Sequence, residues 1–259
     1  MQCVLTIAGS DSGGNAGVQA DLRTFHAYGL HGCTAFSALT AQNPAGVYAI
    51  HPLPAAFVAA QLDAVLGTYD IAALKTGMLG DPEVIAVIAE KLRAYPAIAK
   101  VIDPVMVATS GARLISESAI EALKRDLFPL ATLITPNLPE AETLLNRRIS
   151  TQADARMAAQ SLAEQFGCAV LLKGGHALAD SELATDILFD GDSFATFTAP
   201  KIEHPVSTHG TGCTLSAAIA AELTRGASLH AAIEGAKRYV THAIADSYWV
   251  GPNCGVLAL

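Results

Sequence analysis

Val4-Leu-Thr-Ile-Ala8, closed by Gly9-Ser10-Asp11-Ser12-Gly13-Gly14, decides how the rest of the chain is read. A short apolar, β-branched run that stops at a polar, glycine-rich turn has the pattern of a buried strand. No basic leader precedes it, so it is read as a first strand and not as an export signal. A helical stretch from Gly17 to Tyr28 follows, with Gly29 where a helix stop is expected, and then a second strand from Thr34 to Leu39.

Working outward, the same alternation continues. Pro54 opens a helix, Ile71 to Lys75 reads as a strand, a helix follows Asp81-Pro82, and Val101-Ile102-Asp103 is a strand. Ser116 caps a helix with Glu117 in its first turn, and strand Leu133-Ile134 follows. After a helix from Thr151 to Phe166 and a strand from Ala169 to Lys173, two β runs, Asp186 to Phe189 and Ser193 to Phe197, flank the turn signal Asp190-Gly191. Helices near Thr214 to Thr224 and Leu229 to Tyr248 finish the chain. Repeated β-then-α units of this length predict an α/β fold. Its mostly parallel central sheet lies between two helical layers, with one hairpin in the C-terminal third. No composition break, repeat or linker divides residues 1–259, which are read as a single domain.

Composition narrows the function. With 51% apolar and 15% charged residues the chain is no disordered segment. Sixteen Lys and Arg against 24 Asp and Glu leave a net charge of −8, which offers no field for nucleic acid or an anionic membrane. Gln61, Asp63, Glu222 and Arg225 interrupt every apolar run before the ~18 residues of a spanning helix, so a soluble protein is expected. The five cysteines, Cys3, Cys33, Cys168, Cys213 and Cys254, form no C-x-x-C pair. They suit neither a disulfide framework nor a zinc site, and a reducing, cytoplasmic setting is expected.

In a parallel sheet of this kind ligands lie beyond the carboxyl ends of the strands. The residues there are Gly9-Ser10-Asp11, Gln42-Asn43, Thr76-Gly77-Met78, Asp103-Pro104, Thr135-Pro136-Asn137 and Lys173-Gly174-Gly175, a small and polar set. His209-Gly-Thr-Gly-Cys213-Thr leads straight into the helix former Leu215-Ser-Ala-Ala-Ile-Ala-Ala-Glu222. Glycines 210 and 212 let backbone N–H groups converge where a helix N-terminus favours an anion. No lysine follows in Walker A spacing. Cys213 at that electropositive end is expected to shift toward thiolate and to accept a proton; the alternative is a small buried hydrophobe.

Gly9-Ser-Asp-Ser-Gly-Gly-Asn-Ala-Gly-Val-Gln-Ala-Asp21, paired with Gly210-Thr-Gly-Cys213, resembles the hydroxymethylpyrimidine/phosphomethylpyrimidine kinases of thiamine biosynthesis, within the ribokinase-like superfamily. Ala41-Gln42-Asn43, Lys75-Thr-Gly-Met78, Val101-Ile-Asp103-Pro, Thr135-Pro-Asn137-Leu-Pro-Glu140 and Leu172-Lys173-Gly-Gly-His176 occur in the family's order. The resemblance covers essentially the whole chain. It implies a ribokinase-like three-layer kinase that uses ATP and Mg²⁺, with a monovalent cation as a further candidate. The reaction implied is transfer to 4-amino-5-hydroxymethyl-2-methylpyrimidine and then to its monophosphate, by a homodimer.

Residue roles follow from the same resemblance. Cys213 stands where ribokinase-like enzymes generally place an aspartate base, and Gly210, Thr211 and Gly212 would neutralise the transferring phosphoryl group. Asn137 and Glu140 look like the superfamily's N-x-x-E element, with Glu140 and Asp103 holding Mg²⁺; alternatively Glu140 is a solvated first-turn charge. Lys173 and Lys237 would reach nucleotide phosphates, or stand as ordinary exposed cations. Gln42 would read the edge of the aminopyrimidine and Met78 cover its face, unless Met78 is core filler. Gly9 would allow close approach, and Asp21 would either orient the hydroxymethyl group or solvate an exposed helix face. Other readings are a cysteine-type pyridoxal or pyridoxine kinase and a non-catalytic binder of the vitamin precursor. The chain departs from the family at Asn15, where a third consecutive glycine is common, and in the looser segments Ala108–Leu114 and Val250–Leu259.

Overall fold

The computed structural model describes residues 1–107, 114–174 and 182–259. The chain begins with β1 (Cys3–Asp11), α1 (Gly17–Ala27), β2 (His31–Asn43) and β3 (Gly46–Pro52). It continues through α2 (Ala55–Leu66), β4 (Ile71–Thr76), α3 (Pro82–Arg93), β5 (Ala99–Ile102) and α4 (Glu117–Ala122). Next come β6 (Leu133–Ile134), α5 (Leu138–Leu145), α6 (Gln152–Phe166), β7 (Ala169–Lys173), β8 (Leu183–Phe189) and β9 (Phe194–Pro200). Helices α7 (Thr211–Thr224) and α8 (Leu229–Ala245) precede a short hairpin, β10 (Tyr248–Gly251) with β11 (Cys254–Val256).

The sheet order is β3-β2-β1-β4-β5-β6-β7-β8-β9. Neighbours from β2 to β7 pair in parallel, while β3 at one edge and β8-β9 at the other are antiparallel. The expected parallel sheet with a hairpin in the C-terminal third is therefore borne out. Two more hairpins exist, because β2 runs on to Asn43 and turns back as β3, and because Tyr248 starts β10 where the last helix was expected to end. Gln42 thus lies within a strand rather than after one.

Period-two alternation along the strands feeds two cores. Leu5, Ile7, Leu74, Ile102, Ile134 and Leu172 meet helices α2 to α6 on one face. Val4, Val101, Leu133 and Leu171 meet α1, α7 and α8 on the other. Helix starts are fixed by side chains the sequence marks: Asp81, Ser116, Thr151 and Ser228 each accept a first-turn N–H. The chain leaves β1 toward β2 on one side and returns to β4 on the other. A crevice therefore opens beyond the carboxyl ends of β1 and β4, where such sheets bind ligands.

Candidate active site

On the face under α1, α7 and α8, each central strand changes from apolar to polar two residues further on. Val4 is followed by Thr6, Ala73 by Lys75, Val101 by Asp103, Leu133 by Thr135 and Leu171 by Lys173. The pleat thus sets charged and hydroxyl groups in one layer above the core. Next to them lies a cavity of about 960 Å³, within the range of small-molecule sites. It is lined by Gly9, Gln42, Met78, Asp103, Asn137, Glu140, Lys173, Lys237 and Gly210 through Cys213. The structure therefore gathers every sequence-predicted site residue except Asp21 along one space.

Gly210 precedes α7 with φ +88°, a left-handed backbone, and a side chain there would strike the Asn15 carbonyl oxygen. The helix starts at Thr211, earlier than expected, so Cys213 sits in its first turn. Among the described residues no side chain caps α7, and none caps α1 at Ala16-Gly17. Both helices present bare N-termini to the cavity, the arrangement that binds anions. The Gly17 N–H is among the groups that favour a Cys213 thiolate. Asp11 shapes the loop between β1 and α1, accepting the N–H groups of Gly13, Asn15 and Ala16 at 2.8, 3.0 and 2.9 Å. Burial opposes its charge, but nearby His209 and these N–H groups hold its carboxyl below the usual value.

Lys173 pairs with Asp103 at 2.8 Å, and its ammonium lies 3.6 Å from where a Cβ on Gly212 would stand. Burial works against the Lys173 charge; Asp103 and Glu140 nevertheless raise its pKa above the ordinary lysine value. Thr135 and Ser216 hydroxyls each donate to Asp103 at 3.3 Å. Lysine 173 is no solvated cation, and Glu140 is no solvated charge. The Glu140 carboxylate is buried, accepting the N–H of Asn137 at 2.8 Å and that of Met106 at 3.4 Å. Desolvation pushes its pKa up to about 7, with Lys173 opposing and Asp103 adding to the rise.

Three expectations change. The Asn137 side-chain oxygen accepts the Glu140 N–H at 2.9 Å in a reciprocal cap of α5, so it serves the helix rather than standing free for a cation. Asp21 neither faces solvent nor lines the cavity: it is fully buried and bonded to Lys75 at 2.8 and 2.9 Å and to the Thr6 hydroxyl at 2.6 Å. Burial penalises the Lys75 charge, but Asp21 outweighs that penalty and raises the lysine pKa. The Cys213 thiol, expected low, is pushed up instead. Burial is the largest cause, and Asp21 and Asp103 oppose the thiolate while Lys75 and the Gly17 N–H favour it.

At one end of the cavity, Met78 Cε sits 2.5 Å from where a Gly9 Cβ would be, so the close approach that Gly9 allows is to this methionine. The Met78 carbonyl accepts from Gly9 N at 3.1 Å and from the Ser37 hydroxyl at 2.6 Å. Gln42 is clamped through its backbone: its N–H and carbonyl each meet the Ser12 hydroxyl at 2.8 Å. Lys237 lines the other end, tied to Asp186 at 2.6 Å. There Ala184, Pro200, Ile202, Val240 and Ile244 form an apolar slot that sequence reading missed. Its only signal was the spacing of Lys237, Val240 and Ile244 along one face of α8. Gly175 and His176 of the expected motif lie outside the described residues, as does the segment from Ala108 to Arg113.

Comparison with known proteins bears on this arrangement. The sequence pattern of the phosphomethylpyrimidine kinase family matches residues 11–258. A hydroxymethylpyrimidine/phosphomethylpyrimidine kinase of Haemophilus influenzae is 47% identical over 97% of this chain and 94% of its own length. A thiamine biosynthesis bifunctional protein of Geobacter sulfurreducens is 52% identical over 93% of this chain. The chain spans only about half, 49%, of that relative. Among solved structures, an ADP complex of Bacillus subtilis pyridoxal kinase is similar with TM-score 0.91 and 37% identity, covering 99% of this chain and 97% of its own.

Proposed function

The chain belongs to the phosphomethylpyrimidine kinase family, and from that membership we propose that it transfers phosphoryl groups from ATP to 4-amino-5-hydroxymethyl-2-methylpyrimidine and then to the resulting monophosphate. One observation carries the reading. A helix N-terminus bearing Cys213 stands beside the Lys173–Asp103 pair, in a cavity also lined by Gly9, Gln42 and Met78 and by the apolar residues of β8, β9 and α8. The slot would take a flat base, and Lys173 and Lys237, which line the same cavity, would meet the phosphates. Residues 1–259 act as one domain in this reading, with all of these groups on one sheet edge.

The chain's own groups divide the work. The amides at Gly210, Thr211 and Gly212 would receive the charge that develops on the transferring group. Cys213 would take the proton of the primary hydroxyl in the first transfer. Burial raises the pKa of this thiol, so the positive groups around it have the task of lowering the cost of its deprotonation. In the second transfer the acceptor oxygen is already anionic and needs positioning more than deprotonation. Glu140 and Asp103 fit a hydrated Mg²⁺: both carboxylates line the cavity, and Glu140 is kept partly neutral by burial that a cation would offset. When bound, the ion would supply charge neutralisation on the nucleotide phosphates.

A pyridoxal-type acceptor is the second reading, favoured by the fold likeness to the Bacillus subtilis enzyme. A mass-resolved assay with both acceptors, ATP and Mg²⁺ separates the two, since an enzyme selective for pyridoxal forms no pyrimidine diphosphate. In the same assay Cys213→Ala is expected to lose the first transfer more severely than the second. Unchanged activity in that variant would remove its role as base. A homodimer in the cytosol completes the proposal, supported by the edge strand β3 and its neighbour, which expose Leu39, Tyr48 and Ile50. Sedimentation over a concentration series tests the dimer; a monomer throughout refutes it.

A further inference from the structure

Asp186 lines the cavity, yet a carboxylate on the wall of a site that receives polyphosphate repels what the site must bind. The residue is buried and arrives on the antiparallel strand β8. Alternation along that strand sets Leu188 in the core, Asp186 in the charged layer and Ala184 in the apolar slot. Across the β7–β8 ladder Asp186 is the register partner of Lys173. Its ion-pair partner Lys237 lies one turn before Val240, a slot residue on α8. The Asp186–Lys237 pair therefore stands between the slot and Lys173, and the Lys173 ammonium in turn adjoins Gly212 in the anion cradle at the start of α7.

The two carboxylate oxygens hold different elements. Oδ2 accepts from the Lys237 ammonium at 2.6 Å, and Oδ1 accepts the Gly174 N–H at 3.2 Å. One side chain thus ties α8 to the backbone that directly follows Lys173. We propose that Asp186 is a positioning residue for the nucleotide phosphates, its two oxygens fixing Lys237 and the end of β7 so that the Lys237 and Lys173 ammonium groups keep one spacing. The inference rests on the reading of this cavity as an ATP site. An ammonium has three N–H groups, so giving one to Asp186 leaves two for an anion. A lysine held beforehand also has less rotamer freedom to lose when phosphate arrives. Charge and positioning make opposite demands on Asp186. Simple repulsion predicts that nucleotide binds more tightly without the carboxylate, whereas positioning predicts that it binds more weakly.

Calorimetric titration of the full chain with ADP and Mg²⁺, without acceptor, separates these outcomes. Asp186→Ala and Lys237→Met are each expected to raise the Kd for ADP about tenfold. The double variant should fall within about twofold of the weaker single one, because the carboxylate acts through the lysine. In the transfer assay Asp186→Ala should raise KM for ATP about tenfold and leave KM for the pyrimidine within about twofold, a split that general loosening of the fold would not give. Unchanged or tighter ADP binding in Asp186→Ala, an unchanged Kd in Lys237→Met, or about hundredfold additive loss in the double variant overturns the proposal. If Asp186→Ala does not fold, Asp186→Asn decides: it keeps one oxygen for Lys237, so Kd should rise about threefold, and an equal or lower Kd overturns the proposal. Failure of the functional reading looks different. A wild-type chain that binds no ADP sinks both, whereas the expected losses in a chain that phosphorylates no pyrimidine uphold the role of Asp186 and remove only the assigned acceptor.

Discussion

Replacing Glu140 by Gln tests whether the buried carboxylate stores free energy that only a cation releases. In the folded protein its pKa is raised from 4.5 to about 7, chiefly by desolvation. Each pH unit between folded and unfolded values is worth about 1.4 kcal/mol, so the difference amounts to about 3 kcal/mol. The sign follows from linkage. A carboxyl whose folded pKa lies above its unfolded one adds stability that is fully present below about 4.5 and is lost as pH rises through about 7. Glutamine keeps an oxygen for the Asn137 N–H and carries no charge to bury. Urea unfolding of both proteins over a pH series should then give near-equal stabilities in acid. Above neutrality, Glu140→Gln should be the more stable by about 3 kcal/mol. Adding Mg²⁺ at high pH should narrow the gap by stabilising wild type alone. Parallel stability curves would refute the argument, because they would mean that Glu140 is not taken out of water at a cost.

The other expectations concern glycines. Gly9→Ala places a methyl group 2.5 Å from Met78 Cε, so the methionine must swing into the acceptor end. KM for the pyrimidine should rise about tenfold with little change in kcat, and the further change Met78→Ala should recover part of the loss; an unaffected KM would dissociate Met78 from the acceptor. Gly210→Ala meets both a left-handed φ of +88° and the Asn15 carbonyl. It should cost about 2 kcal/mol in unfolding measurements and lower turnover at least tenfold; full activity would show that the cradle tolerates a displaced loop.

The central sheet was legible because buried parallel strands are short apolar runs, and because Pro82, Ser116, Gly29 and the Asp190-Gly191 turn punctuate them. Strand β3 was not, since Tyr48, Ala49, Ile50 and His51 lie at an exposed edge where no core enforces alternation. Strand-end residues revealed most of the site because topology alone delivers them to one edge. Asp21 was misread for the opposite reason: a helix position says nothing of a partner 54 residues away. The direction of the Cys213 shift failed because a helix N-terminus is visible in sequence while depth of burial and the neighbouring Asp21 and Asp103 are not. The apolar slot draws one residue each from β8, β9 and the loop after it and two from α8, a convergence that the spacing along α8 alone does not announce.

The bare start of α1 has an evolutionary corollary. Ala16 has the extended backbone of an N-cap but no oxygen to offer, whereas serine there would satisfy a first-turn amide and add about 1 kcal/mol. A screen that rewards heat resistance alone would therefore enrich Ala16→Ser, and the hydroxyl would compete with incoming anions for that amide. A cap at this position would thus stabilise the folded chain at the expense of the amide that an anion would use, so heat resistance and anion binding are expected to trade against each other there.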